Sequence, residues 1–582
     1  MSTDSRNGIG RREVLTGLGL AAAAAASGTA SAAAAKGGAA KWDRETDVVV
    51  VGSGAAAGAA AVTAASQGAQ VMVLEKMPLT GGTTAKSGGV AWVPNNPILQ
   101  ARGIADPKED ALKYMVRYAF PNQYTPNSPT LGIPDQQYRL LEAFYDHGAP
   151  AIKHLEAVGA VKFKEFRMFF VDRPAPDYAD HLPENKLPAG RAMEPAVGSG
   201  SSEGGNTLAA MLEKWVTAKN MPVLTDTRVT RVVKDNGRVI GVEATDADGR
   251  TLRIKARRGV VFGTGGFAHN TELIGLHQPP ILGACAAPGA TGDFIGIAQE
   301  AGAAMGNLSS AWRTQVLVEA ALENRVFGMT AFVLPGDSML LVNKYGNRCV
   351  NEKRDYNDRT RAHFNFDPTR EEYPNHLMFM IFDGRSLDAF GGAYPFPADK
   401  RESKLLIEAP TLDELAVKIG ERLARIADHT GRVALAPEFT ANMKAAVERF
   451  NGYAVAGRDP DFDRGLHNYD REWHLLFSAR RKGTTQPENP HPNNTMHPLT
   501  KEGPYYAFIL GPGALDTNSG PLINEKAQVL APGNLPIQGL YGAGNCVAGP
   551  SRNAYFAGGG TIGMALTYGY IAGMNVVKEP LA

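Results

Sequence analysis

A β-branched run, Asp47–Val51, leads through Gly52, Ser53 and Gly54 into an alanine-rich stretch that ends near Gln67. A second apolar run, Val71–Leu74, follows and stops at Glu75. No other feature constrains the chain as strongly, because strand, glycine turn, helix, strand and acid in that order make the unit that receives a dinucleotide. The two glycines permit the tight turn and bring a pyrophosphate to the helix N-terminus, and Ala57 fills the third position of the fingerprint. An acid about 20 residues on, here Glu75, accepts hydrogen bonds from the adenosine ribose.

The next segment selects the kind of dinucleotide. Gly81 to Gly89 is a loop of small and hydroxylated residues, including Gly82, Thr83, Thr84, Ser87 and Gly88. Its amides and hydroxyls suit a second pyrophosphate and a ribityl chain, which favours FAD over a nicotinamide cofactor. Two further strand-to-glycine turns could close over the same molecule. One runs from Gly259–Phe262 into Gly263, Thr264, Gly265 and Gly266, and the other from Gly539 to Gly544 and Asn545. Between them, Asp293 follows Thr291 and Gly292 ahead of a helical pattern ending near Gly302, and either caps that helix or contacts the ribityl chain. Near the C-terminus, Tyr555 stands four residues before Gly559, just ahead of an apolar helix expected to begin near Thr561. A hydroxyl, an open backbone amide and a helix start together make a cradle for an oxyanion.

With 582 residues, of which 44% are hydrophobic and 20% charged, the chain has material for two domains. Lys and Arg number 60 against 59 Asp and Glu, and there is no long basic stripe, so nucleic acid is not the expected partner. The cysteines, Cys285, Cys349 and Cys546, are too far apart for a disulfide framework or a CxxC site. The isolated His269, His491 and His497 suggest no metal. Residues 1–40 read as an export signal: Arg11 and Arg12 precede an alanine-rich run, and Ala30-Ser31-Ala32 has the small-x-small form of a cleavage site. The expected destination is the periplasm or cell envelope by the twin-arginine route.

The ordered set of Gly52 and Gly54, Gly81–Thr84, Thr264–Gly266, Thr291–Asp293 and the closing Gly542–Asn545 resembles the fumarate reductase/succinate dehydrogenase flavoproteins over essentially the whole chain after the signal. The resemblance implies an α/β fold, a Rossmann-like FAD-binding domain (43–315 and 504–582) interrupted by a smaller α+β catalytic domain (316–503). It also extends the FAD-binding set to Ser53, Lys76, Val229, Thr561 and Ile562. The middle segment is rich in Pro and aromatic residues, with one clear helix at Pro437–Phe450.

Within that superfamily, fumarate reductases place an arginine where Tyr356 stands and a histidine in the segment matching Thr517–Pro521, where this chain has none. Arg354 and Arg359 lie nearby. The 3-ketosteroid Δ1-dehydrogenases are more similar. By that resemblance Tyr356, four residues after Glu352, is the base, Tyr178 of Pro176-Asp177-Tyr178 assists it, and Tyr555 and Gly559 bind the substrate carbonyl. Phe556 and the glycines 558–560 depart from the family pattern around the carbonyl pocket.

Elementary chemistry makes the same four residues sensible. Desaturation beside a ketone removes a proton from the α carbon and a hydride from the β carbon. Two donors at the ketone oxygen stabilise the developing enolate. A tyrosine base, with an ordinary pKa of about 10, needs a neighbour that favours its phenolate. Phe163, Phe166, Phe169 and Phe170 are suited either to the wall of an apolar pocket or to core packing. The expected substrate is an apolar ketone of the steroid class, the electron acceptor a quinone-like molecule or a redox protein, and any membrane contact peripheral.

Overall fold

The apolar run at Asp47 lies in the strand Arg44–Val51, at the centre of an eight-stranded sheet. In a computed structural model, which describes residues 41–168, 172–196, 203–399, 403–476 and 488–582, the sheet order is Gln528–Ala531, Leu535–Gly542, Thr251–Phe262, Arg44–Val51, Val71–Leu74, Val223–Leu224. The last five of these strands pair in parallel. Parallel strands are covered on both faces, which is why Val48–Val51 shows no polar alternation. Two antiparallel strands, Arg228–Asp235 and Arg238–Thr245, extend the sheet from the first half of Thr251–Phe262. The expected signal segment, Phe169 and Phe170 lie outside the described residues.

One face of the sheet carries two apolar helices that pack on each other, Ala55–Ser66 and Gly560–Val576. Their small residues let the backbones approach closely. A Cβ added at Gly569 would stand 2.3 Å from the carbonyl oxygen of Ala56, so only glycine fits at that crossing. The C-terminal helix therefore starts one residue before the expected Thr561 and lies against the helix of the dinucleotide turn.

A second, five-stranded antiparallel sheet orders Ala311–Leu317, Tyr505–Thr517, Met378–Asp383 and Met339–Val342, with Ile407–Ala409 also on Tyr505–Thr517. Leu412–Ile426 and Phe439–Ala456 cover one face of it, the latter being the helix anticipated from Pro437. The strand that spans the expected junction near 315 pairs in this sheet with the strand that begins just after the one near 504. Residues 43–582 form one compact unit. Among the described residues no helix is long and apolar enough to cross a membrane.

Gly569→Val should lower stability by about 1–3 kcal/mol or more through overpacking. Gly452→Ala, in a helix where a Cβ meets nothing within 4 Å, should be neutral or stabilising by up to about 1 kcal/mol. Chemical denaturation midpoints read both. Equal midpoints for the two variants would contradict the close helix contact.

Candidate active site

A long cleft runs over the C-terminal ends of the parallel strands. Its walls include Gly52, Ser53, Gly54, Glu75, Lys76, Gly82, Thr83, Thr84, Ser87, Val229, Gly265, Asp293, Gly544, Asn545, Thr561 and Ile562. These come from the ends of four parallel strands and the starts of four helices, among other segments, so the sheet topology gathers what the sequence disperses. Glu75 is held in place: Ser53 donates to it at 2.6 Å and the Met77 amide at 2.9 Å, which leaves lone pairs for ribose hydroxyls. Thr84 accepts the first amide of the adjoining helix, Ala55, at 2.9 Å.

Three expectations for this cleft are adjusted. Ala57 does not line it but packs beneath the turn, where a Cβ on Gly263 would meet the Ala57 Cβ at 2.9 Å. Gly88 is also outside the lining, its carbonyl pressed so close to Gly204 that a Cβ there would lie 2.2 Å away. Asp293 is not a cap: left-handed Gly292 is the N-cap, and Asp293 is the first helical residue. Its carboxylate instead accepts from Lys76 at 3.1 Å and Arg228 at 3.0 Å, at the end of the cleft that Glu75 marks. Burial pushes this carboxyl up, but Lys76, Thr291 and Arg228 outweigh it and hold the pKa below the usual range.

The sequence reading missed Asp516 and Arg228. Asp516 lines the cleft and accepts from the amides of Gly266 and Thr517 at 2.9 and 2.8 Å, and burial raises it to about 6. No local pattern marks it, although it abuts the Thr517 segment. Arg228 adjoins Val229, and only the fold shows it facing Asp293.

The three tyrosines meet although they come from distant segments. Tyr178, Tyr356 and Tyr555 are each at most 5% exposed. Tyr178 Oη donates to Tyr356 Oη at 2.8 Å, its ring stacks on Tyr555 at 5.4 Å, and Tyr356 meets Tyr555 edge-on at 5.5 Å. Trp473, Tyr469, Trp312 and Phe332 complete an aromatic enclosure. Phe163 is core, Phe166 reaches Trp473 at the rim, and Phe169 and Phe170 are outside the described residues. Gly559 has φ +92, and a Cβ there would lie 2.5 Å from the Val90 carbonyl.

Burial pushes all three hydroxyls above their ordinary pKa, Tyr356 and Tyr178 furthest. At Tyr555 the push is opposed by Tyr356, Thr561 and the Gly559 amide, which all act on its hydroxyl. In the Tyr178–Tyr356 pair either oxygen can donate. With Tyr178 donating, the bond favours a phenolate at Tyr356; with Tyr356 donating, it holds the proton.

Two devices fix this geometry. Arg191, wholly buried, pairs with Asp177 at 2.6 Å and Asp106 at 2.8 Å. Trp92 Nε1 also donates to Asp177, and the Trp92 amide donates to the Gly559 carbonyl at 3.0 Å. The segments of Tyr178 and Gly559 are thereby joined. On the other side Asp355 caps the short helix Tyr356–Arg361, and Asn357 ties it down. Asn357 accepts from the Arg313 amide at 2.9 Å and donates to the Asn553 carbonyl at 2.8 Å, two residues before Tyr555.

A dinucleotide cleft opening beside buried proton donors is the mark of a flavin-dependent oxidoreductase. The family model described as FAD binding domain matches residues 47–562, and the chain belongs to that family. It is 30% identical to a 3-oxosteroid 1-dehydrogenase of Mycolicibacterium smegmatis, over 93% of this chain and 98% of that protein. It is equally 30% identical to a 4-oxocyclohexanecarboxylate 2-dehydrogenase of Sinomonas cyclohexanicum, over 92% and 93%. Among solved structures, the 3-ketosteroid Δ1-dehydrogenase of Sterolibacterium denitrificans in complex with 1,4-androstadiene-3,17-dione matches with a TM-score of 0.73 and 26% identity. That alignment covers 92% of this chain and 99% of the other. The cofactor is FAD and the enzyme a dehydrogenase of CH–CH bonds.

Glu75→Ala should weaken FAD binding by about tenfold to a hundredfold, the worth of hydrogen bonds to a charged group. Titration of the apoprotein with FAD, followed by flavin fluorescence, measures it. An unchanged affinity would remove Glu75 from the cofactor site.

Proposed function

We propose that the enzyme introduces a C1–C2 double bond beside the C3 ketone of a 3-ketosteroid. The observation that carries this reading is the buried meeting of Tyr178, Tyr356 and Tyr555 beside the Gly559 amide. A ketone oxygen placed between the Tyr555 hydroxyl and that amide receives two hydrogen bonds, which strengthen as negative charge develops on it. The α proton then passes to Tyr356, and the Tyr178 hydroxyl steadies the phenolate before and the phenol after the transfer. FAD, when bound, supplies at N5 the acceptor for the hydride that leaves the neighbouring carbon. The aromatic enclosure suits a flat hydrocarbon skeleton. The electrons pass on to a quinone-like acceptor or a redox protein.

A second reading, desaturation of a smaller cyclic ketone, is favoured by the relative that acts on 4-oxocyclohexanecarboxylate. Ene reduction in the fumarate reductase manner has less support, because the nearby arginines are engaged. Arg354 pairs with Asp470 at 3.0 Å, and Arg359 is spent on Gln315 and the carbonyls of Ala331 and Arg354. Neither is free to hold a dicarboxylate. Export by the twin-arginine route belongs to the proposal and rests on the motif alone.

Anaerobic addition of a 3-keto-4-ene steroid should bleach the oxidised flavin. Bleaching by a small cyclic ketone but not by steroids would favour the second reading, and reduction only by a protein partner would make the chain an electron-transfer subunit. Tyr356→Phe should retain FAD yet slow flavin reduction by at least about 10³-fold. Because burial raises Tyr356, its phenolate is scarce at neutral pH. The wild-type rate should therefore climb by up to about tenfold per pH unit into the alkaline range, and a flat profile would refute the base assignment. Replacing Arg11 and Arg12 by lysine should leave the protein in the cytoplasmic fraction, and unimpaired export would refute the signal.

A further inference from the structure

Three basic side chains outside the cleft lining converge beside its wall. Lys86 Nζ donates to the carbonyl oxygen of Ala286 at 3.1 Å, and His269 Nε2 lies 2.9 Å from the same oxygen. Both contact one atom, so the two nitrogens are at most about 6 Å apart. Arg325 joins them: its Nη2 donates to the Ile281 carbonyl at 2.9 Å, its own carbonyl accepts the Ala284 amide, and its charge acts on His269. All three are half-buried. Among the described residues no carboxylate stands among the charges that act on them. Cations taken partly out of water without a counter-charge are costly, and burial accordingly pushes Lys86, His269 and Arg325 below their ordinary values. Buried cations elsewhere are held either by an acid, as Arg191, Arg348 and Arg354 are, or by several neutral acceptors, as Arg359 and Lys353 are, whereas Lys86 and Arg325 each have a single backbone carbonyl among their hydrogen bonds.

The cluster adjoins the cleft wall through Ala286 and its neighbours. Ala287, next to Ala286, lines the cleft and donates its amide to Thr83 on the short helix that also carries Lys86. Cys285, on the other side of Ala286, belongs to a small apolar cluster against which Phe332 packs, and the Phe332 ring stands 5.1 Å from that of Tyr356.

We propose that Lys86, His269 and Arg325 form an anion site that receives a carboxylate at the far end of the ketone substrate. The substrate class is then a cyclic ketone bearing an acidic group, either a 3-ketosteroid with a carboxylated side chain or a smaller keto acid. The inference rests on the ketone-dehydrogenase reading and deepens it. Lys86 and Arg325 supply the permanent charge, and His269 becomes a second donor on taking up a proton as the anion enters.

The test compares a side-chain-carboxylated 3-ketosteroid with its methyl ester on the holoenzyme. In the wild type the acid should be favoured and the preference should weaken with salt. Lys86→Ala and, separately, Arg325→Gln should each lower kcat/KM for the acid by about tenfold or more and for the ester by less than about threefold, while Lys86→Arg keeps most of the preference. Binding alone is read on the Tyr356→Phe holoenzyme, from perturbation of the flavin spectrum by the acid at rising ionic strength. A small cyclic keto acid that loses the same factor in Lys86→Ala supports the site and assigns it the smaller substrate. Equal losses for acid and ester, no loss for either, or loss of FAD from the variants would overturn the inference, the cations then serving fold or cofactor. A wild type that turns over the ester with no cation-dependent preference for the acid overturns the inference alone. A flavin that no ketone reduces overturns the underlying function.

Discussion

The buried guanidinium of Arg191 is the interaction on which the site depends. A cation with no solvent contact must be compensated, and Asp106 and Asp177 do so through three hydrogen bonds of 2.6–2.9 Å, with Asn185 adding a fourth at 2.8 Å. Removal of one member of such a pair leaves the other charge stranded, at a typical cost of about 3–5 kcal/mol. Asp177 immediately precedes Tyr178, so the ion pair sets the backbone from which the second tyrosine projects. Through Trp92 the same carboxylate reaches the segment that holds Gly559. Burial pushes the Asp177 carboxyl above its ordinary pKa, and Arg191 with Trp92 and Asn185 pulls it back. The pair thus trades stability for position, since an apolar substitute of equal volume would fill the space without orienting anything.

The parts of the fold that are local in sequence were legible. Four valines in a row can only be a strand covered on both faces, and Gly52 with Gly54 ahead of an alanine run can only be a turn into a closely packed helix. The cofactor cleft followed from these, because glycine and hydroxyl residues at strand ends are visible without knowing the neighbours. The tyrosines were legible by resemblance alone, since nothing about Tyr178 or Tyr356 as isolated aromatics separates them from the core. The residues that set their positions, Arg191, Trp92, Asn357 and Asn553, carry no local signature at all. Arg191 reaches Asp106 and Trp92 reaches Asp177, each 85 residues away, and Asn357 reaches Asn553 across 196, so only the topology reveals the pairing. Asp293 shows the converse: pattern placed it correctly at the cleft, but Gly292 takes the cap, and its partners Lys76 and Arg228 are visible only in the fold.

In the roles proposed for them, the three tyrosines illustrate how one environment serves opposed needs. Exclusion of water strengthens the donors at the ketone oxygen, and the same exclusion makes a phenolate at Tyr356 expensive. As the hydroxyls stand, the contacts from Tyr178 and Tyr555 add to burial in holding the proton on Tyr356, while Tyr356 in turn lowers Tyr178 and Tyr555. Asp355, whose carboxyl is raised to about 8 by burial and by Asp358, caps the Tyr356 helix without placing a full negative charge beside that tyrosine at neutral pH.

The packing of the last helix against the first has a consequence for the order in which the protein comes into being. The cleft is walled by residues near 52–87 and again by residues 543–565, and Gly560–Val576 lies on the helix of the opening turn. While the ribosome is still making the middle of the chain, the alanine face of Ala55–Ser66 has no cover, and the parallel strands at 251–262 wait for 535–542. Contacts of such long sequence separation form late and slowly. The walls of the cleft are therefore complete only once residues 543–565 have emerged and the last helix has docked on the first.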